Sequence, residues 1–278
     1  MSDSAPSTPA PSTPTPETPA PEPAALETSA LSKSFGGVFA VREVSVAFAH
    51  GCVNAIIGPN GAGKTTLINL LSGDLKPSSG RIVYGGRDIT ALPPHRVSQL
   101  GIGRSYQITN IFPPFTVGRN VWLAAQSRLP SSLRFFRPAV RRRDVAERAE
   151  RALVAAGLAD SVDRIAGTIS HGEQRQLEIA MLLATEPQVL LLDEPLAGMG
   201  PEEGVGIVRL IQGLRGDHCV VLIEHDMDAV FAVADRLTVM VGGAVLETGT
   251  PASIRASDTV RKAYLGDALD GAPQGATA

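Results

Sequence analysis

Nine consecutive residues, Gly58, Pro59, Asn60, Gly61, Ala62, Gly63, Lys64, Thr65 and Thr66, carry the pattern G-x-x-x-x-G-K-[ST] from Gly58 to Thr65. The chemistry that needs this spacing is the capture of a phosphate chain. Glycines let successive backbone N–H groups turn inward around an anion, and a helix that starts where the loop ends points its positive end at the same charge. Lys64 then reaches the β- and γ-phosphates of a nucleoside triphosphate, and the Thr65 hydroxyl holds Mg2+. Lysine is scarce in this chain: of 25 Lys and Arg residues only Lys33, Lys64, Lys76 and Lys262 are lysines. One of the four stands where the motif demands it.

Two later positions supply what hydrolysis requires. The apolar run 189–192 ends in Asp193-Glu194-Pro195, and an acid pair at the carboxyl end of a buried strand lies at the rim where α/β proteins place their ligands. Asp193 is suited to bind Mg2+ through water, and Glu194 to polarise an attacking water as general base, a role worth about 10²–10⁴ in rate. The next apolar run, 219–223, leads into Glu224-His225-Asp226 and brings His225 to the same rim. A lone histidine is more often structural than catalytic; its equivalence in place to Asp193 and Glu194 makes His225 a catalytic candidate.

The elements that must hold these residues are those of an α/β fold. The runs 53–57, 189–192 and 219–223 are apolar without alternation, which predicts strands buried on both faces of a mainly parallel sheet covered by helices. Leu177, Ala180, Met181 and Ala184 fall at i, i+3, i+4 and i+7, predicting a helix over 172–186 that Pro187 stops. Residues 141–156 set Arg141, Arg142, Arg143, Arg148 and Arg151 against Asp144, Glu147 and Glu150, the mixture of a solvated helix face. Residues 1–25 hold eight of the 21 prolines and read as a disordered tail before a domain at 26–278.

Composition narrows the classes further. At 44% hydrophobic and 19% charged, with no apolar run long enough to span a bilayer, the chain reads as a soluble globular protein. A net charge of −3 argues against bulk affinity for nucleic acid. Cys52 and Cys219 lie far apart in no metal or redox spacing.

Between the phosphate loop and Asp193 lies Ile169-Ser170-His171-Gly172-Glu173-Gln174. It resembles the signature, usually Leu-Ser-Gly-Gly-Gln, of the ATP-binding subunits of ABC transporters, and the resemblance covers nearly all of the chain beyond the tail. It implies a P-loop NTPase fold of ABC type: a mainly parallel sheet with flanking helices, an antiparallel β subdomain, and a helical subdomain at roughly 108–187. It further implies ATP and Mg2+ as ligands and a head-to-tail pair of cassettes, identical or paralogous. Each ATP would lie between one phosphate loop and the Ser170 hydroxyl and Gly172 amide of the other subunit. Gln107, in Arg104-Ser-Tyr-Gln-Ile108, resembles the glutamine that senses the γ-phosphate and Mg2+, and the segment 108–119 would face a membrane partner. Phe35, in Ser34-Phe-Gly-Gly37, resembles the aromatic residue that stacks on adenine; core packing is the competing reading.

The chain departs from the pattern at Ile169, His171 and Glu173, and at Gly200, where the family's loop after the acid pair ends in aspartate. Within the family, the strings 169–199, 223–227 and 260–266 look most like the ATPases of branched-chain amino acid importers. ATPases for urea or short-chain amide uptake and for lipopolysaccharide export are near relatives. The resemblance implies integral-membrane permease subunits and, indirectly, a periplasmic substrate-binding protein. It also implies a peripheral place at the cytoplasmic face of a bacterial inner membrane, with no nucleic acid partner. Chromosome and DNA-repair relatives need long coiled-coil insertions, whereas the roughly one hundred residues between loop and signature hold no sustained heptad run. Translation-linked relatives carry two cassettes, and this sequence contains one phosphate loop.

Overall fold

The computed structural model describes residues 24–105, 110–127 and 143–265. Strands β1 (Ala24–Phe35) and β2 (Val38–Ala49) form an antiparallel hairpin closed by Gly36 and Gly37. In β2 the buried Val44, Val46 and Phe48 alternate with exposed neighbours, the pattern of a sheet with one wet face. The chain continues through β3 (Val53–Ile57), α1 (Lys64–Leu71), β4 (Ser79–Tyr84) and β5 (Arg87–Asp88). Strands β4 and β5 complete a four-stranded antiparallel sheet in the order β2-β1-β4-β5.

Further along come α2 (Pro94–Leu100), β6 (Ile102–Arg104), α3 (Val117–Gln126), α4 (Arg143–Ala155), α5 (His171–Leu183), β7 (Val189–Asp193) and α6 (Pro201–Gly213). They are followed by β8 (Cys219–Ile223), α7 (Met227–Val233), β9 (Arg236–Val241), β10 (Ala244–Gly249) and α8 (Pro251–Ala256). A second sheet runs β10-β9-β3-β8-β7-β6, parallel throughout except where β10 returns antiparallel to β9.

All residues of β3, β7 and β8 are buried, because successive side chains enter two different cores. Ala55, Ile57, Leu190, Leu192, Val220 and Leu222 face the core closed by α3 to α7. Ile56, Val189, Leu191, Val221 and Ile223 face the core closed by α1, α2 and the antiparallel sheet. A strand covered on both faces has no reason to alternate. The polar Asn54 of β3 is satisfied inside: its Oδ1 accepts from the Ala49 amide at 3.2 Å and its Nδ2 donates to the Ala49 carbonyl at 3.1 Å. Helices α3, α4 and α5 pack on one another, and α4 buries Val145, Ala149, Ala152 and Leu153 while leaving its arginines outward. Arg148 and Arg151 both pair with Glu186.

Several boundaries differ from the sequence expectation. Strand β1 begins at Ala24, inside the segment read as a tail; residues 1–23 lie outside the described residues. Helix α5 starts at His171 and ends at Leu183, short of 186, and the chain then passes through Glu186 at a left-handed φ of 52°. Asp193 is the last residue of β7 itself. Arg141 and Arg142 fall outside the described residues, so α4 is seen from Arg143. Among the described residues no helix is long and apolar enough to cross a membrane.

Candidate active site

Strands β3, β8 and β7 are neighbours and parallel, so the loops that follow them share one edge of the sheet. The loop after β3 is the phosphate loop. Gly58, at φ 153°, could carry no Cβ, which would lie 2.1 Å from the Met240 carbonyl oxygen. Gly63, at φ 96°, is bounded in the same way by the Ala40 carbonyl oxygen at 2.2 Å. The loop is therefore fixed by close approach of β9 and β2. Ala62 is buried beneath it, while Asn60, Gly61 and Thr65 are exposed and Pro59 and Thr66 partly so. Lys64 begins α1 and turns back over the loop, its Nζ donating to the carbonyls of Gly58 at 2.6 Å and Pro59 at 3.0 Å. Burial lowers its pKa, and the carboxylates of Glu194 and Asp193 oppose that shift, which places both acids within electrostatic reach of the ammonium.

Asp193 is 1% exposed. Its Oδ2 accepts from Arg104 Nη2 at 3.4 Å, and the same guanidinium donates from Nη1 to Asp74 at 2.7 Å and to Ser72 Oγ at 2.9 Å. Asp193 Oδ1, by contrast, is buried with no hydrogen-bond partner. A carboxylate oxygen left in that condition costs about 1–3 kcal/mol. Burial raises the Asp193 pKa; Arg104 opposes the rise and Glu194 adds to it.

Glu194 adopts a left-handed φ of 50°, which costs a residue with a Cβ about 1–2 kcal/mol. Its amide donates to the Ile223 carbonyl at 2.9 Å, locking the turn to the end of β8. His225 follows β8 with its side chain 63% exposed at the same edge. Beyond the acids, Gly200 stands before α6, and a Cβ there would meet nothing within 4 Å. Packing does not exclude the aspartate that this chain lacks.

The signature segment starts α5. Ser170 Oγ accepts from the Glu173 amide at 3.2 Å, and the Glu173 carboxylate accepts from the Ser170 amide at 2.9 Å, a reciprocal capping box. Glu173, one of the departures from the family pattern, is thus part of the cap and also pairs with Arg164. The Ser170 hydroxyl hydrogen is left to donate elsewhere. The Gly172 amide donates to Glu203 Oε1 at 3.4 Å. Ser170→Ala is expected to lower stability by about 1 kcal/mol through loss of the cap. A melting curve followed by circular dichroism checks it, and an unchanged melting temperature would contradict the cap.

Phe35 is 50% exposed at the end of β1, with Lys33 Nζ 5.1 Å from its ring centroid, so core packing does not account for it. Phe39, which sequence reasoning passed over, is 53% exposed on the neighbouring strand. Gln107 lies outside the described residues. Sequence reasoning also missed Arg104, the partner of Asp193, with Ser72 and Asp74 that hold its guanidinium, and, next to His225, Glu224. The available signals were a charge ending a buried strand at Arg104 and an acid continuing one at Glu224.

A lysine-bearing loop after β3 that shares one sheet edge with two acids at the end of β7, with β8 between them, is the equipment of a P-loop protein that binds and splits a nucleotide. Residues 41–197 match the family model described as "ABC transporter", and the chain belongs to that family: it is an ABC transporter ATPase and binds nucleotide. Its branch is given by the end of the chain, where residues 244–270 match the model described as "Branched-chain amino acid ATP-binding cassette transporter". It is 41% identical over 241 residues to the high-affinity branched-chain amino acid transport ATP-binding protein BraF of Pseudomonas aeruginosa, a match spanning 84% of this chain and 94% of BraF. It is 39% identical over 236 residues to the lipopolysaccharide export system ATP-binding protein LptB of Acidithiobacillus ferridurans, spanning 84% and 94%. Among solved structures it is similar to the ADP conformation of MJ1267, an ATP-binding cassette of an ABC transporter. That likeness has a TM-score of 0.77 at 31% identity, covering 87% of this chain and 99% of that one.

Proposed function

We propose that this chain hydrolyses ATP to drive import of branched-chain amino acids through separate integral-membrane subunits, docked at the cytoplasmic face of a bacterial inner membrane. The observation that carries the cargo is the match over residues 244–270. Identity alone does not discriminate, since 41% to BraF and 39% to LptB are nearly equal. A periplasmic binding protein delivers the amino acid to the membrane subunits; the ATPase never touches it.

In this reading the loop amides from Gly58 to Thr66 and the Lys64 ammonium bind the phosphate chain, and Phe35 stacks on adenine. Thr65 and Asp193, with Gln107, hold Mg2+; the orphaned Asp193 Oδ1 supports that fit. Held by these residues, the ion would supply positive charge that offsets the negative charge of the phosphates. Glu194 accepts the proton of the attacking water and His225 acts at the γ-phosphate edge. Ser170 and the Gly172 amide close the site on the ATP of a second cassette, identical or paralogous. What supports a second cassette is that α5, which they begin, packs on the opposite face of the central sheet from α1.

Deleting the gene is expected to abolish uptake of labelled leucine and leave labelled urea uptake and lipopolysaccharide export intact. Retained leucine uptake with loss of either of the others would overturn the cargo assignment.

A further inference from the structure

Glu224 is an ionisable side chain that this hydrolytic scheme leaves unused, yet it is 1% exposed at the very edge where the reaction would occur. Its Oε1 accepts from the Leu196 amide at 2.7 Å and its Oε2 from the His225 amide at 3.1 Å. Burial raises its pKa, and the backbone amides of Leu196, His225 and Asp226 oppose the rise by favouring the carboxylate. One carboxylate therefore spans two loops: the one after β7, which carries Glu194, and the one after β8, which carries His225.

The loop after β7 needs such a hold. Glu194 sits in a left-handed backbone conformation that persists only where its surroundings over-determine it. On the N-terminal side the turn is fixed by the Glu194 amide on the Ile223 carbonyl at 2.9 Å. On the C-terminal side it is fixed by the Leu196 amide on Glu224. An ionised carboxylate is acceptor-only and can serve two amides at once, with the added strength of a charged acceptor. Glutamine has one oxygen and would set an NH2 group against one of the two donors.

We infer that Glu224 is a positioning residue for hydrolysis: its carboxylate ties the backbones of Leu196 and His225 together and so holds Glu194 and His225 in a fixed relation. This rests on the reading of Glu194 as the base. The side chain touches neither nucleotide nor water in this scheme; it acts through its two neighbours. The phosphate loop hangs on β3 and should not feel the change.

The test is a double-mutant cycle on the purified full chain with Glu224→Gln, Glu194→Gln and the combination. Steady-state and single-turnover hydrolysis are measured alongside Kd for a fluorescent ATP analogue. Glu224→Gln is expected to lower kcat by about tenfold or more, as small displacements of catalytic groups do, while Kd stays within about threefold. Added to Glu194→Gln, it should lower the residual rate by less than about twofold, because its route to the chemistry is already gone. Glu224→Asp keeps the charge and both oxygens and should recover part of the lost kcat; it carries the same cycle if Glu224→Gln does not fold. Multiplicative losses in the cycle, or wild-type kcat in Glu224→Gln, would overturn the inference. Normal turnover in Glu194→Gln alone would overturn the base assignment and not the geometry of the clamp.

Discussion

Glu194→Gln is expected to bind ATP and to hydrolyse it about 10²–10⁴-fold more slowly, the loss that follows removal of a positioned general base. The substitution keeps the volume and shape of the side chain and alters one thing, its capacity to take a proton. The groups that would hold the triphosphate, Lys64 at the start of α1 and the amides of its loop, are left in place. Binding should also lose a repulsion. Burial lowers the Lys64 pKa and raises that of Asp193, and Glu194 lies close enough to oppose the first shift and add to the second, so neutralising it removes a negative charge from the edge that receives a polyanion. If ATP closes two cassettes and hydrolysis separates them, the variant should accumulate as an ATP-bound dimer. Size-exclusion chromatography with and without ATP, paired with a phosphate-release assay, reads both outcomes. Wild-type phosphate release would remove Glu194 from the base role, and a monomer at saturating ATP would count against the paired-cassette reading.

What could be read from the sequence was what is encoded locally. The strands β3 and β8 were bounded correctly from unbroken apolar runs, because burial on both faces erases alternation within the segment itself. The phosphate loop was visible because its spacing is its chemistry. The reason for its glycines was only half visible: Gly58 and Gly63 are also demanded by carbonyls of Met240 and Ala40, which other strands bring into contact. The same limit hid Arg104. Its ion pair with Asp193 exists because β6 lies beside β7 in the sheet, an adjacency between residues 89 positions apart that no window of sequence contains. Glu224 was hidden differently, since an acid after an apolar run announces solvent, and only the structure shows it folded inward onto two amides. The end of α5 was overrun because the apolar period continues to Ala184, while the backbone has left the helix after Leu183 to turn at Glu186.

Lys64→Ala should weaken nucleotide binding by about 10- to 150-fold, the equivalent of one charge-assisted hydrogen bond of about 1.5–3 kcal/mol. The side chain is 8% exposed and its ammonium rests on two carbonyl oxygens of its own loop, at 2.6 and 3.0 Å. Those carbonyls hold the charge over the loop without neutralising it, so it is preorganised for an anion and little side-chain entropy remains to be lost on binding. Alanine removes this cation and leaves Asp193 and Glu194 facing the phosphates with their nearest lysine gone. Arginine does not restore the site, because a planar guanidinium cannot occupy the space in which an ammonium donates to both Gly58 and Pro59. The readout is the rise in melting temperature produced by ATP, which depends on RT ln(1 + [ATP]/Kd). At a fixed ATP concentration about 1,000-fold above the wild-type Kd, a 100-fold weaker site loses about 2.7 kcal/mol of that stabilisation, so the shift should fall to about a third. An undiminished shift in both Lys64→Ala and Lys64→Arg would mean that the amides of the loop hold the phosphate chain alone, and the lysine would need another role.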